Sequence, residues 1–270
     1  MDVAVRMNTK AHETSASVDS DILSIQLVGI RGIGEVKRGE DLAGLIWQAQ
    51  SKSRIRAEDG DIYVIAQKVV SKAEGRMVNL EKVVPSRFSM QLGREIGKDP
   101  REVEVILGES RRVVKARLGI LITETRSGIV CANAGVDRSN VPGENNVLLL
   151  PLRPDMSAWR LRRRLQSLTG KKIAVVISDT FGRPWREGQV DFAIGASGIK
   201  CIRDYRGTPD MNGRNLRVTA IAQADELAAA AELVMGKTKG VPVVIVRGYR
   251  YEEGSGSKEL LRHVSRDLFR

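Results

Sequence analysis

Val176-Ile177-Ser178-Asp179-Thr180-Phe181-Gly182-Arg183-Pro184-Trp185-Arg186-Glu187-Gly188 is the stretch from which the rest of the chain is read. It continues an apolar run, residues 173–177, that is short, β-branched and bounded by Lys171-Lys172, as a buried strand would be. Such a strand delivers Ser178, Asp179 and Thr180 at its carboxyl end, where open α/β sheets place ligands. A carboxylate and a hydroxyl side by side suit a hard divalent cation. Arg183 and Arg186 suit phosphate or carboxylate. An Asx or Ser/Thr turn with two solvated arginines accounts for the same residues equally well.

The 270 residues suffice for one large domain or two modest ones with a real core. A hydrophobic fraction of 42% beside 29% charged residues belongs to an ordinary soluble globular protein. Aromatics at 4% are too few for a base-stacking single-strand binder. No apolar run approaches the roughly 20 residues of a membrane span. Residues 1–21 have no apolar core or cleavage signature and read as a loose tail, so a cytoplasmic location is expected. Cys131 and Cys201, in apolar contexts without a CxxC or a histidine cluster, read as buried thiols rather than zinc ligands. With only His12 and His263, histidine acid–base chemistry has little material. The net charge of +11 suits nucleic acid and polyanionic small substrates alike.

Along the chain, an alternating strand over 22–28 meets Gly29-Ile30-Arg31-Gly32, a weak signal for close backbone approach to a ligand. A helix with the stripe Leu42, Leu45, Ile46 and Ala49 follows. The strand 61–66 runs into a polar segment, 67–76, where Gln67, Lys68 and Lys72 are placed to grip phosphates; a surface lysine pair is the plainer account. Residues 90–97 read as helix, 103–107 as strand and 110–118 as a basic helix. Residues 120–123 and 128–132 read as a hairpin. It feeds a polar loop carrying Asp137 and Asn140, residues that suit either a metal and phosphate or an Asx turn. A helix capped by Asp155 or Ser157 ends at Gly170, its arginines forming a solvated face. Residues 189–198 are small and apolar, suggesting tight packing near a ligand. A helix capped by Asp225 ends in Met235-Gly236-Lys237-Thr238-Lys239-Gly240. This is no Walker motif, because Ala231 stands where the first glycine belongs and a helix precedes it. A strand over 243–246 and a charged glycine-rich loop close the chain.

The stretches 67–76, 135–143, 178–188 and 235–248 together resemble the coenzyme F-420:L-glutamate ligases, in this order and at similar spacing. The most specific pieces are Val69-Val70-Ser71-Lys72-Ala73-Glu74-Gly75-Arg76, Gly135-Val136-Asp137-Arg138-Ser139-Asn140-Val141-Pro142 and the Ser178 to Arg186 segment. The resemblance spans about 25–269 and implies an α+β fold of mixed sheets and packed helices, a non-P-loop amide-ligase fold within 22–270 with room for two intertwined subdomains. It implies a GTP-dependent ligase that phosphorylates the terminal carboxylate of the deazaflavin coenzyme precursor. The amine of L-glutamate then attacks the acyl phosphate, and further rounds lengthen a γ-linked tail. Two manganese or magnesium ions, help from potassium, and a homodimer are implied with it. By resemblance, Asp137 and Asp179 are metal-binding aspartates and Thr180 is a ligand of the second metal. Lys72 and Arg183 join the two aspartates as catalytic candidates. Gly29, Ile30, Arg31, Gly32, Gln67, Lys68, Lys72, Asn140, Met235, Gly236, Lys237, Thr238 and Gly240 are nucleotide-binding candidates.

There is one departure. Archaeal relatives tend to carry an acidic or amide residue where this chain has Lys237, and a protonated lysine cannot ligate a metal. The chain looks more like bacterial relatives with lysine there, and it leaves no room after Arg270 for the reductase domain that some of them fuse. A metal-dependent phosphohydrolase and a non-catalytic basic RNA- or nucleotide-binding protein are the competing classes.

Overall fold

In the computed structural model, residues 24–268 are described; the expected tail 1–21 lies outside them. The first half of the chain runs β1 (Gln26–Ile30), α1 (Leu42–Lys52), β2 (Ile62–Ala66), α2 (Gln67–Ala73), β3 (Met77–Asn79), α3 (Arg87–Ile96) and α4 (Pro100–Gly108). A meander follows: β4 (Ser110–Arg117), β5 (Ile120–Thr125) and β6 (Val130–Ala132), then β7 (Asn146–Leu148). The second half is α5 (Pro154–Thr169), β8 (Ala174–Arg183), β9 (Arg186–Ser197), β10 (Arg203–Asp204), β11 (Ala220–Ile221), α6 (Gln223–Met235) and β12 (Val243–Arg247). This is a mixed α+β architecture with several sheets and packed helices, as expected.

The main sheet has the order β1-β12-β2-β8-β9. β2 and β8 run parallel, with Ile62 opposite Ala174 and Ala66 opposite Ser178, while the other neighbours are antiparallel. Both faces of the central strands are covered, which explains their unbroken apolar runs. Tyr63, Ile65, Val175, Ile177, Val243 and Ile245 pack against α1 and α5 through Leu42, Ile46, Ala158 and Leu165. On the opposite face Ile62, Val64, Ala174, Val176 and Val244 meet Ala224, Leu227 and Ala231 of α6. A separate core gathers Leu80, Val103, Ile106, Leu121, Val147 and Leu149 beside the β4-β5-β6 sheet.

Several local expectations are corrected. Residues 103–107 lie in helix α4, not a strand: Asp99 caps it through the Arg101 amide, Pro100 opens it, and Val103 and Ile106 are buried three apart. Residues 110–117 form strand β4, not a basic helix. It lies at the edge of its sheet, where arginines and lysines discourage pairing with another chain. The polar segment after β2 begins as helix α2. Neither Asp155 nor Ser157 caps α5, which opens with Arg153 and Pro154; the Asp155 carboxylate accepts the amides of Ala196 and Ser257. Nor does Asp225 cap α6: it sits in the first turn and accepts the Ala193 amide. The α5 arginines are only partly solvated, since Arg162 donates to the Ile173 carbonyl at 2.8 Å and Arg164 pairs with Asp41.

The contact between α5 and β9 has no slack. A Cβ on Gly195 would stand 2.6 Å from the Pro154 carbonyl oxygen and 2.5 Å from its carbon. Gly195→Ala is therefore expected to lower stability by about 1–3 kcal/mol in urea unfolding, and an unchanged midpoint would contradict this packing.

Candidate active site

The parallel pair β2 and β8 ends in polar residues on both strands, and the site is built there. Side chains alternate along β8. Ile177 and Phe181 pack into the core shared with α1 and α5, so Asp179 between them faces that side. Ser178 and Thr180 face the α6 side, and both donate to one carboxylate on β9. The Ser178 hydroxyl reaches Asp191 Oδ2 at 3.0 Å, and the Thr180 hydroxyl reaches Asp191 Oδ1 at 2.6 Å. This pairing depends on register. Ile177 lies opposite Gly195 but Ser178 opposite Ala193, so a bulge at Ile194 brings Asp191 opposite Thr180.

Asp137 arrives from elsewhere in the chain. After β6 the backbone turns sharply, with Gly135 at φ +70°, where a Cβ would strike Leu150 at 2.6 Å. Asp137 is then fixed by reciprocal backbone hydrogen bonds with Leu148, at 3.0 and 2.8 Å. Its carboxylate accepts the Ser139 amide and hydroxyl, each at 2.8 Å, and pairs with Lys68 Nζ at 2.6 Å. Lys68 also donates to the Ser139 carbonyl, which ties α2 to this loop. From the other side, the Asn140 amide donates to the Lys237 carbonyl at 3.5 Å. The Lys237 ammonium lies 2.6 Å from Thr180 Oγ1 and 3.3 Å from Asp191 Oδ1.

The electrostatics follow from this crowding. Burial pushes the Asp179 carboxyl up to about 7; its own neighbour's amide, at Thr180, pulls the other way, the negative charges of Asp191 and Asp137 push it up further, and Lys68 lowers it. Burial also raises Asp137, but the Lys68 ammonium and the Ser139 donors outweigh it and hold that carboxyl below its ordinary value. Cys131 is pushed up to about 12 by burial and by the charge of Asp179, so it stays a thiol.

The structure thus brings Lys68, Asp137, Asn140, Asp179, Thr180 and Lys237 into one constellation. Other residues singled out from sequence surround it or stand apart. Lys72, one helical turn from Lys68, pairs with Glu35 at 2.7 Å. Gln67 is buried, accepts the Ser71 hydroxyl, and leaves its Nε2 without a partner among the described residues. Arg183 donates to the Glu187 carbonyl and closes the β8–β9 hairpin. Gly29 and Ile30 belong to β1. A Cβ on Gly29 would meet Val234 and Val241 at 2.9 Å, and Ile30 is core, while Arg31 and Gly32 are exposed beyond the strand. Met235 is core; Gly236 ends α6, and Thr238 and Gly240 are exposed in the following loop. Asp191 was not among the candidates. Its signal is a carboxylate set within the apolar and small residues 190–197 of β9.

Among the described residues, no group of three His, Cys, Asp or Glu side chains is arranged to hold a metal ion by itself. Asp137 and Asp179 nonetheless fit one side of a divalent site: both offer hard oxygen, and the charge of Asp137 reaches Asp179. The Thr180–Asp191 position does not fit a second, because an ammonium is already seated there.

Residues 29–248 match the family model described as F420-0:Gamma-glutamyl ligase. The chain is similar to the coenzyme F420:L-glutamate ligase of Methanothermobacter thermautotrophicus, at 46% identity over 92% of this chain and 100% of the relative. The enzymes of the same name from Methanopyrus kandleri and Archaeoglobus fulgidus are 48% and 43% identical, over 87% and 92% of this chain and 94% and 97% of theirs.

Asp179 makes a pH-dependent contribution with a defined sign. Between about pH 4 and about pH 7 the folded chain keeps a proton on Asp179 that the unfolded chain has released, so stability from this group falls as pH rises through that window. In urea titrations without divalent cations, the advantage of Asp179→Asn over the parent chain should grow by up to about 1.4 kcal/mol per pH unit and level off above about pH 7. A difference independent of pH would contradict this account of the carboxylate.

Proposed function

The chain belongs to the F420-0:gamma-glutamyl ligase family, an acid–amino-acid ligase, and we propose that it joins L-glutamate to the terminal carboxylate of the deazaflavin coenzyme F-420 precursor at the expense of GTP. The observation that carries this reading is the meeting of Asp137 and Asp179, distant in sequence, beside Lys68 at the end of the parallel strands.

Joining a carboxylate to an amine in water is uphill, so the carboxylate must first acquire a leaving group. In the proposed reaction a carboxylate oxygen attacks the γ-phosphorus of GTP, the bond to the bridging oxygen breaks, and GDP departs. The glutamate amine then attacks the acyl carbon, inorganic phosphate leaves, and the amine gives up a proton. Phosphoryl transfer of this kind rests on positioning and charge neutralisation, not on a protein nucleophile. A site whose neighbouring thiol stays protonated and which, among the described residues, draws on no histidine suits that demand.

Lys68 neutralises negative charge beside Asp137 and is placed to do the same for a phosphate drawn against it. Asn140 offers amide chemistry to the nucleotide from the loop it ties to Lys237. Residues 235–240, the exposed Arg31 and Gly32, Gln67 and Lys72 make up the rest of the nucleotide-binding reading, and Arg183 lies four residues along β8 from Asp179. Asp137 and Asp179 would hold manganese or magnesium, whose charge, when bound, neutralises phosphate and carboxylate oxygens. The product of one round again ends in a carboxylate, so repetition would give a γ-linked glutamate tail. Potassium as an aid, a cytoplasmic setting and a homodimer complete the reading. The chain's net charge of +11 favours polyanionic substrates of this kind.

The test is mass spectrometry after incubation with precursor, GTP, manganese and glutamate. Masses increased by whole glutamate residues are expected, with GTP consumed only in step with them. GTP turnover without precursor or glutamate would point instead to a phosphohydrolase. Asp137→Asn and Asp179→Asn should each cut ligation at least 100-fold while remaining folded; near-normal turnover with saturating metal would refute the site.

A further inference from the structure

Lys237 follows directly on Gly236, whose φ of +55° and ψ of 176° end α6 and redirect the chain. Its ammonium is surrounded by oxygen: Thr180 Oγ1 at 2.6 Å, Asp191 Oδ1 at 3.3 Å and Glu232 Oε1 at 3.4 Å. These are hard donors of the sort a metal ion takes. They come from three elements, β8, β9 and α6. The Asp191 side chain is only 5% exposed, and a carboxylate so enclosed needs a cation beside it. The hydroxyls are arranged to match. Ser178 and Thr180 both spend their protons on Asp191, leaving the lone pairs of Thr180 for the ammonium. The end of α6 adds the partial negative charge of a helix C-terminus. The backbone of Lys237 is fixed as well, through its carbonyl and the Asn140 amide, next to the loop that holds Asp137.

We propose that Lys237 is a built-in monovalent cation occupying the Thr180–Asp191 position, so that this chain takes one divalent ion, against Asp137 and Asp179, instead of two. The inference rests on the divalent site proposed above and corrects the expectation that Thr180 is a metal ligand. The ammonium leaves room for no second ion on the same oxygens. About half of the Lys237 side chain remains exposed, so its positive charge is within reach of an anionic substrate. Charge that a second metal would bring is here carried by the polypeptide itself.

Manganese alone is the probe. Free Mn2+ is followed by electron paramagnetic resonance as it is titrated into the full chain at neutral pH. The parent should bind one ion per chain and Asp179→Asn should bind it at least tenfold more weakly. Lys237→Glu replaces the ammonium by a carboxylate and should bind two. Two ions on the parent chain overturn the proposal, as does a folded Lys237→Glu variant that still binds one. If Lys237→Glu does not fold, the parent stoichiometry decides alone. A parent chain that takes up no manganese refutes the divalent site and this inference together, whereas the ligation reading is judged separately by product masses.

Discussion

Like charges held close together in a place poor in water constrain the rest of this structure. Asp137, Asp179 and Asp191 come from a loop and two strands, and burial first, then the charges of Asp191 and Asp137, make Asp179 resist ionisation. Such an arrangement persists only because other groups offset it: Lys68 on Asp137, Lys237 on Asp191, and hydroxyl and amide donors for the remaining lone pairs. Among the described residues, Asp179 is the one of the three with no lysine at hydrogen-bond distance. It is therefore the one that most needs a cation from solution.

The fold supplies the rigidity that this crowding requires. β2 and β8 are buried on both faces, so their carboxyl ends cannot shift without disturbing two cores at once. The alternation of β8 then divides the work between faces. Asp179 is turned toward the side that α2 and its Lys68 share, and Thr180 toward the side where α6 ends in Lys237. The bulge at Ile194 sets the register that brings Asp191 opposite Thr180. Asp137 is fixed by backbone pairing with Leu148, so the third core also bears on the site.

What could be read from the residues follows the distance over which each signal acts. The 173–177 run was legible because burial on both faces leaves a pure apolar string, and Ser178-Asp179-Thr180 at its end drew attention as local chemistry. Residues 103–107 and 110–118 are misread from sequence because five residues with four apolar, or nine mixed ones, fit either period; Asp99 and Pro100 at the start of α4 hold the better clue. Asp191 was hidden because its meaning depends on strand register and a bulge. Lys237 stood out as a departure, but its destination, 57 residues back along the chain at Thr180, is a tertiary fact. The glycine cluster at 29–32 read as one unit, whereas Gly29 serves helix packing and Gly32 lies outside the strand.

The central claim is that Asp137 and Asp179 form the two sides of a single divalent site while Lys237 fills the neighbouring position. The most direct measurement is anomalous diffraction at the manganese absorption edge from crystals of the full chain soaked with that ion. The account predicts one peak within coordinating distance of both carboxylates, with the lysine ammonium still on Thr180 and Asp191. A peak lying between Thr180 and Asp191, or none shared by Asp137 and Asp179, would contradict it.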